Sequence, residues 1–135
     1  MRFSPYQCEV TQLGYMSEGQ LLEYFLTRVF ETEEIWGHDD GCEWVTTQQH
    51  NHWVMYLWPY QQLAKEALAV DNVSLTAAAE SLEDFIDTTL PTLIEDDIMV
   101  VVMASAQSPG CLVAPHRLLQ ILTGMMESGQ YVLDC

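Results

Sequence analysis

The chain has 135 residues, 49% of them hydrophobic and only 18% charged, which is enough to bury the core of one domain and excludes the composition of a disordered segment. Twenty Asp and Glu stand against four Lys and Arg (Arg2, Arg28, Lys65 and Arg117), for a formal net charge of −16, and such a field disfavours direct binding of DNA or RNA. No apolar run approaches the roughly 20 residues of a membrane span, no secretory apolar stretch follows the first Met, and Cys8, Cys42, Cys111 and Cys135 form no CxxC pair, so the expectation is a cytosolic protein with free thiols.

Residues 1–15 carry neither a helical nor a strand period and read as an N-terminal extension, with a single domain over 16–135. Ser17 and Gln20 have the spacing of a capping box. Behind them Leu21, Leu22, Phe25, Leu26, Val29 and Phe30 recur at three and four, which predicts an amphipathic helix from Glu18 to about Thr32. Glu34 to Trp36 reads as extended, Asp40-Gly41 as a turn, and "CEWVTT" and "HWVMYLW" as strands flanking a polar loop, so 34–58 should hold two or three antiparallel strands. Pro59 suits the first position of a helix, and Leu63, Ala64, Ala67 and Leu68 stripe it from about Tyr60 to Val70.

"LTAAAESLEDFIDTTLPTLIEDD" predicts a further helix with Leu82, Phe85, Ile86 and Leu90 inward, ended or bent by Pro91 and the acids from Glu95. "IMVVVMAS" (98–105) has no polar alternation and suits a central strand covered on both faces. "SPG" is a turn and "CLVA" a short strand; Pro115 opens a last helix with Leu118, Leu119, Leu122 and Met126 inward and Gly129 as its C-cap. The order predicts a single two-layer α+β domain, a mainly antiparallel sheet of four to five strands packed by about four helices.

The stretch "HDDGCEWVTTQQHNHW" raises the question of a metal site, since His50 and His52 would share one face of a strand and His38, Asp39 or Cys42 could approach them. Neither zinc-knuckle nor HExxH spacing accompanies them. The preferred reading is a hairpin with polar ends, with no metal and no cofactor, and His50, His52 and Cys42 are the residues a metal would have to use. Trp36, Trp44, Trp53 and Trp58 cluster with Tyr56 and Tyr60, which suits core packing, with Trp58 the most buried, or else a binding surface. The carboxylates have no nucleophile or Gly-rich loop beside them, and His116-Arg117 falls in a helix's first turn.

In this order and spacing, "FETEEIWGHDDGCEWV", "LWPYQQLAKEAL", "SLEDFIDTTLPTLIEDDIMVVVM" and "GCLVAPHRLLQIL" resemble the bacterial family called domain of unknown function 2750, over roughly 20–131. The most specific pieces are "EEIWG" at Glu33–Gly37, Trp58-Pro59, Leu90-Pro91 with its acids, and Pro115. The resemblance implies a small cytosolic bacterial protein with no activity attached to these motifs. The chain departs from the family pattern in its histidines at 38, 50 and 52 and in "AVDNVSLTAAAE".

These features favour a non-enzymatic interaction module that binds a basic macromolecular partner, as small inhibitor and immunity proteins do, through Glu33, Glu34, Trp36, Asp39, Asp40, Trp44 and Tyr60. The alternative is a small-molecule or metal-binding domain with a pocket between the Trp-rich hairpin and Tyr60. A monomer or a homodimer fits either reading. Because most carboxylates lack an internal cation, added salt should raise the melting temperature by screening their mutual repulsion. A calorimetric series in salt checks this, and a flat series counts against it.

Overall fold

The computed structural model describes residues 15–41, 43–49, 51–68, 75–105 and 108–128. Helix α1 (Glu18–Thr32) begins as its capping box requires. Gln20 N–H donates to Ser17 Oγ at 3.2 Å, and Ser17 N–H donates to Gln20 Oε1 at 2.9 Å, so two of the otherwise orphaned first-turn donors are satisfied. The helix stops at Glu33, whose left-handed φ of 58° lets its N–H reach the Val29 carbonyl at 2.7 Å. Buried Thr32 then bridges into the next strand, donating to the Arg28 carbonyl and accepting from Glu34 N–H. Along the buried side Leu21, Phe25 and Val29 are almost solvent-free, and Tyr24 joins them; each fully buried side chain of this kind contributes about 1.5–3 kcal/mol.

Among the described residues the strands are β1 (Glu34–Asp39), β2 (Thr47–Gln49), β3 (His52–Trp58), β4 (Thr76–Ser81), β5 (Met99–Val102) and β6 (Cys111–Val113). They form one sheet in the order β4-β1-β3-β5-β6, with β2 beside the start of β3. The pairings are antiparallel except β3 with β5. Trp36 lies opposite Trp58 and Gly37 opposite Leu57. Beyond Gly37 the two strands part, and the chain turns back through Gly41 so that Val45 N–H meets the His38 carbonyl at 2.9 Å and Trp44 bridges to Asp39. β2 then fills the gap along β3, from Thr47 opposite Val54 to Gln49 opposite His52. The expected antiparallel strands of 34–58 are therefore three.

β4 corrects the sequence expectation. "TAAAES" was expected to open a helix, and alanine favours one, yet these six residues pair with β1 without a break, from Thr76 opposite Asp39 to Ser81 opposite Glu34. Helix begins only at Leu82, where the Ser81 hydroxyl accepts from Asp84 N–H at 3.1 Å. Ladder bonds to an existing strand outweigh an alanine propensity worth a few tenths of a kcal/mol per residue. Among the described residues the sheet consequently has six strands rather than four or five.

β3, β4 and β5 run the same way, and the chain passes from β3 to β4 through α2 (Gln61–Leu68) and back past β1 and β3 to β5 through α3 (Leu82–Glu95). Two right-handed crossovers that travel in opposite directions must lie on opposite faces. The side chains agree: His38 meets the Ala64 carbonyl of α2, whereas its neighbour Gly37 faces Trp44, which packs on Phe85 of α3. α2 thus covers the second face of a sheet whose first face carries α1, α3 and α4 (Pro115–Ser128). Leu118 and Leu122 of α4 are fully buried, but Met126, expected inward, is exposed, and Met125 packs against the core; Gly129 lies outside the described residues. The Pro91 bend is a π turn over Phe85–Thr89, with Leu90 N–H bonded to the Phe85 carbonyl. A proline offers no donor to the residue four before it, and a widened turn relieves the clash of its ring.

Gly37 is a place of close approach in the first-face core. A Cβ there would stand 3.0 Å from Trp44 Cδ2 and Cε2. Gly37→Ala should cost about 1–3 kcal/mol by overpacking, and Trp44→Leu in the same chain should remove part of that cost, so that the double variant loses less than the two singles together. Urea midpoints of the four proteins decide it; simple additivity would refute the contact's role.

Candidate functional site

The residues singled out from sequence separate into three groups along β1. Glu33 and Glu34 sit at its start. There the chain leaves α1, and Leu82 N–H donates to the Glu33 carbonyl at 2.9 Å, so the first turn of α3 is alongside. Glu33, Glu83, Asp84 and Asp87 are exposed at this corner, with Glu34 half-buried and Glu31 paired to Arg28 at 2.9 Å. Glu83 and Asp84 lie where a helix N-terminus favours negative charge. Sequence reasoning missed this gathering because it depends on β4 lying next to β1; the only local signal was the Ser81-x-x-Asp84 cap.

Asp39 and Asp40 occupy the opposite end, roughly 17 Å along the strand at about 3.3 Å per residue. They shape the turn there: Asp39 accepts from Gly41 N–H and Asp40 from Glu43 N–H. The seven residues therefore do not form one patch.

The aromatic members divide between the faces. Trp44 is half-buried on the first face, its indole N–H donating to the Ala78 carbonyl at 3.1 Å. Trp36 is half-buried on the second. Tyr60 is only 1% exposed and Trp58 2%, which confirms the expected burial of Trp58 and withdraws Tyr60 from any surface a partner could touch. Trp58 anchors its indole N–H on the Ala104 carbonyl at 2.8 Å and stacks with Tyr56. At the place where the small-molecule alternative expects a pocket, Trp58 and Tyr60 are core side chains. Trp53 is half-exposed at the start of β3. A cleft of about 300 Å³ lies instead on the outer side of α1, lined by Met16, Gln20, Glu23, Tyr24, Thr27 and Arg28, with the Arg28 guanidinium 5.1 Å from the Tyr24 ring centre.

Among the described residues no three His, Cys, Asp or Glu side chains gather where a metal ion would be held. His52 is exposed; Cys42 and His50 lie outside the described residues. His116 and Arg117 are exposed in the first turn of α4. Cys111 is buried, and burial together with the Glu18 charge pushes its thiol up against the opposing pull of Arg117; a thiol held protonated in this way is a poor nucleophile.

His38 is a polar group that folding alters. Its ring centre lies 4.5 Å from that of Trp58, and its Nε2 is 3.0 Å from the Ala64 carbonyl. A carbonyl can only accept, so this nitrogen carries the proton and donates. Burial lowers the imidazole below its ordinary value of 6.5, and the bond to Ala64 partly opposes the shift.

A family model described as Protein of unknown function (DUF2750) matches residues 22–122. That span holds strands β1 to β6, the acidic corner and His38. No curated protein matches the chain. No helix among the described residues is long and apolar enough to cross a membrane.

Because the folded state holds His38 neutral below 6.5, the unfolded chain takes up the proton first as pH falls. Stability is thus complete above 6.5, declines below it, and levels off once the folded imidazole is also protonated. Urea midpoints from about pH 7 to about pH 5 should show this decline in the natural protein and its loss in His38→Gln. An unchanged profile in the variant would assign the decline to other groups.

Proposed function

We propose a role for a chain that belongs to the family Protein of unknown function (DUF2750): a non-enzymatic protein-interaction module of the bacterial cytoplasm that takes a basic macromolecular partner, in the manner of small inhibitor or immunity proteins. The observation that carries this reading is the placement of Glu33, Glu34, Glu83, Asp84 and Asp87 at one corner of the sheet, in a chain of formal charge −16. Exposed charge of one sign raises the encounter rate with an oppositely charged protein and rejects acidic competitors. Such steering weakens as salt shortens the screening length to roughly 8 Å at physiological strength.

The chemistry of the site supports binding rather than turnover. Cys111 is buried with its thiol raised, and His38 is engaged by Trp58 and Ala64. The same corner would repel a phosphate backbone, so a basic protein is the favoured partner class.

The test is a pull-down from bacterial lysate at low and high salt, run in parallel with a variant carrying Glu33→Gln, Glu83→Gln, Asp84→Asn and Asp87→Asn. A basic protein retained by the natural chain at low salt, weakened by high salt and lost with the variant supports the proposal. No retained protein at low salt, or equal retention by the variant, rejects it.

A further inference from the structure

Among the described residues one side of the sheet ends at β4, and its hydrogen-bonding phase can be read from the bonds around it. Leu82 N–H donates to the Glu33 carbonyl at 2.9 Å, and bonded pairs in an antiparallel ladder recur every second residue. Glu80, Ala78 and Thr76 therefore turn their main-chain groups toward Ile35, Gly37 and Asp39 of β1. Ala77 and Ala79 turn N–H and C=O outward, as does the Ser81 N–H, and these groups have no other backbone partner among the described residues.

Natural sheet edges are usually blunted by lysine, proline, a bulge or an inward charge. β4 has six unbroken register pairs and no lysine, proline or bulge. Its one charged side chain, Glu80, is held back by a hydrogen bond from the Thr89 hydroxyl. Ala79 and Ser81 are exposed, and alanine side chains allow another backbone to approach to strand distance. The ends of this edge are acidic, with Glu34, Glu83 and Asp84 beside Ser81 and Asp39 and Asp40 beside Thr76.

We infer that β4 is a docking strand for an extended, basic segment of a protein partner, which joins the sheet through the main chain of Ala77 and Ala79. This deepens the proposed function and rests on it. The occupied edge is about 20 Å long, so a segment of roughly six to eight residues would place Lys or Arg side chains near the carboxylates at both ends. Charge selects this occupant over a second copy of the chain, because pairing two β4 edges would bring together two molecules of formal charge −16 and both sets of end carboxylates.

The experiment uses the full chain, a short alternating Lys-Val peptide, and the same peptide N-methylated at every residue so that charge is kept and the main-chain donors on both edges are removed. The protein variant is Ala79→Pro, which deletes one outward N–H and leaves the bonds to β1 in place. The inference expects the plain peptide to bind at low salt and to slow amide exchange at Ala77 and Ala79. It also expects the N-methylated peptide and the Ala79→Pro protein each to bind about fivefold or more weakly, the value of one net hydrogen bond. Comparison of the two peptides needs no protein variant and stands even if Ala79→Pro folds poorly.

Equal binding of both peptides would overturn the inference and leave the proposed function intact, since the acids alone would then hold the partner. Concentration-dependent protection of Ala79 without peptide would also overturn it, by giving the edge to a second copy. Failure of the plain peptide to bind, with a basic protein still retained in the pull-down, would reject the docking strand alone; failure of both would reject the two proposals together.

Discussion

The fold turns on the closure of Trp44 over Gly37. Where β1 parts from β3, the chain must leave the sheet and return, and the return is held by an indole lying on backbone that has no side chain in the way. From that position the ring reaches the Ala78 carbonyl of β4 and packs against Phe85 of α3 at 6.2 Å between ring centres. One side chain thereby ties the loop, the edge strand and the crossover helix together. A Cβ at residue 37 would stand 3.0 Å from the ring and require the indole to give by a few tenths of an ångström.

The opposite face of β1 depends on a different device. His38 and Trp58 pack in a tilted ring contact beneath α2, each spending its ring N–H on a main-chain carbonyl, Ala64 for the imidazole and Ala104 for the indole. Buried polar atoms satisfied by backbone hold α2 and the segment after β5 at fixed positions. In the structure His38 thus serves as a packed donor to the Ala64 carbonyl.

Charge has been placed where burial is least. Acids occupy the ends of strands and the first turn of α3, while β5 and the inward faces of α1 and α4 carry almost none. This distribution keeps the desolvation cost of carboxylates low and leaves a strongly negative surface around an edge strand built of small residues. The neighbourhood of the β4 edge and the carboxylates at its ends exists only because β4 lies outside β1.

Some of this was legible in the chain alone. The start of α1 followed from Ser17 and Gln20, the central position of β5 from an unbroken run of Met and Val, the last helix from Pro115, and the burial of Trp58 from its place before Pro59, because each is a pattern written within a few residues. Tertiary contact decided the rest. The alanines of β4 favour a helix until β1 offers them a ladder; the parallel pairing of β3 with β5 joins residues some forty-five positions apart; Tyr60 and Trp44 face inward only because α2 and α3 cover opposite faces. The grouping of Glu33 and Glu34 with Glu83 and Asp84, apart from Asp39 and Asp40, likewise depends on strand order. Side-chain periodicity is local, whereas strand partners and the face a helix covers are settled by contacts between distant segments, and for those no short pattern exists to be read.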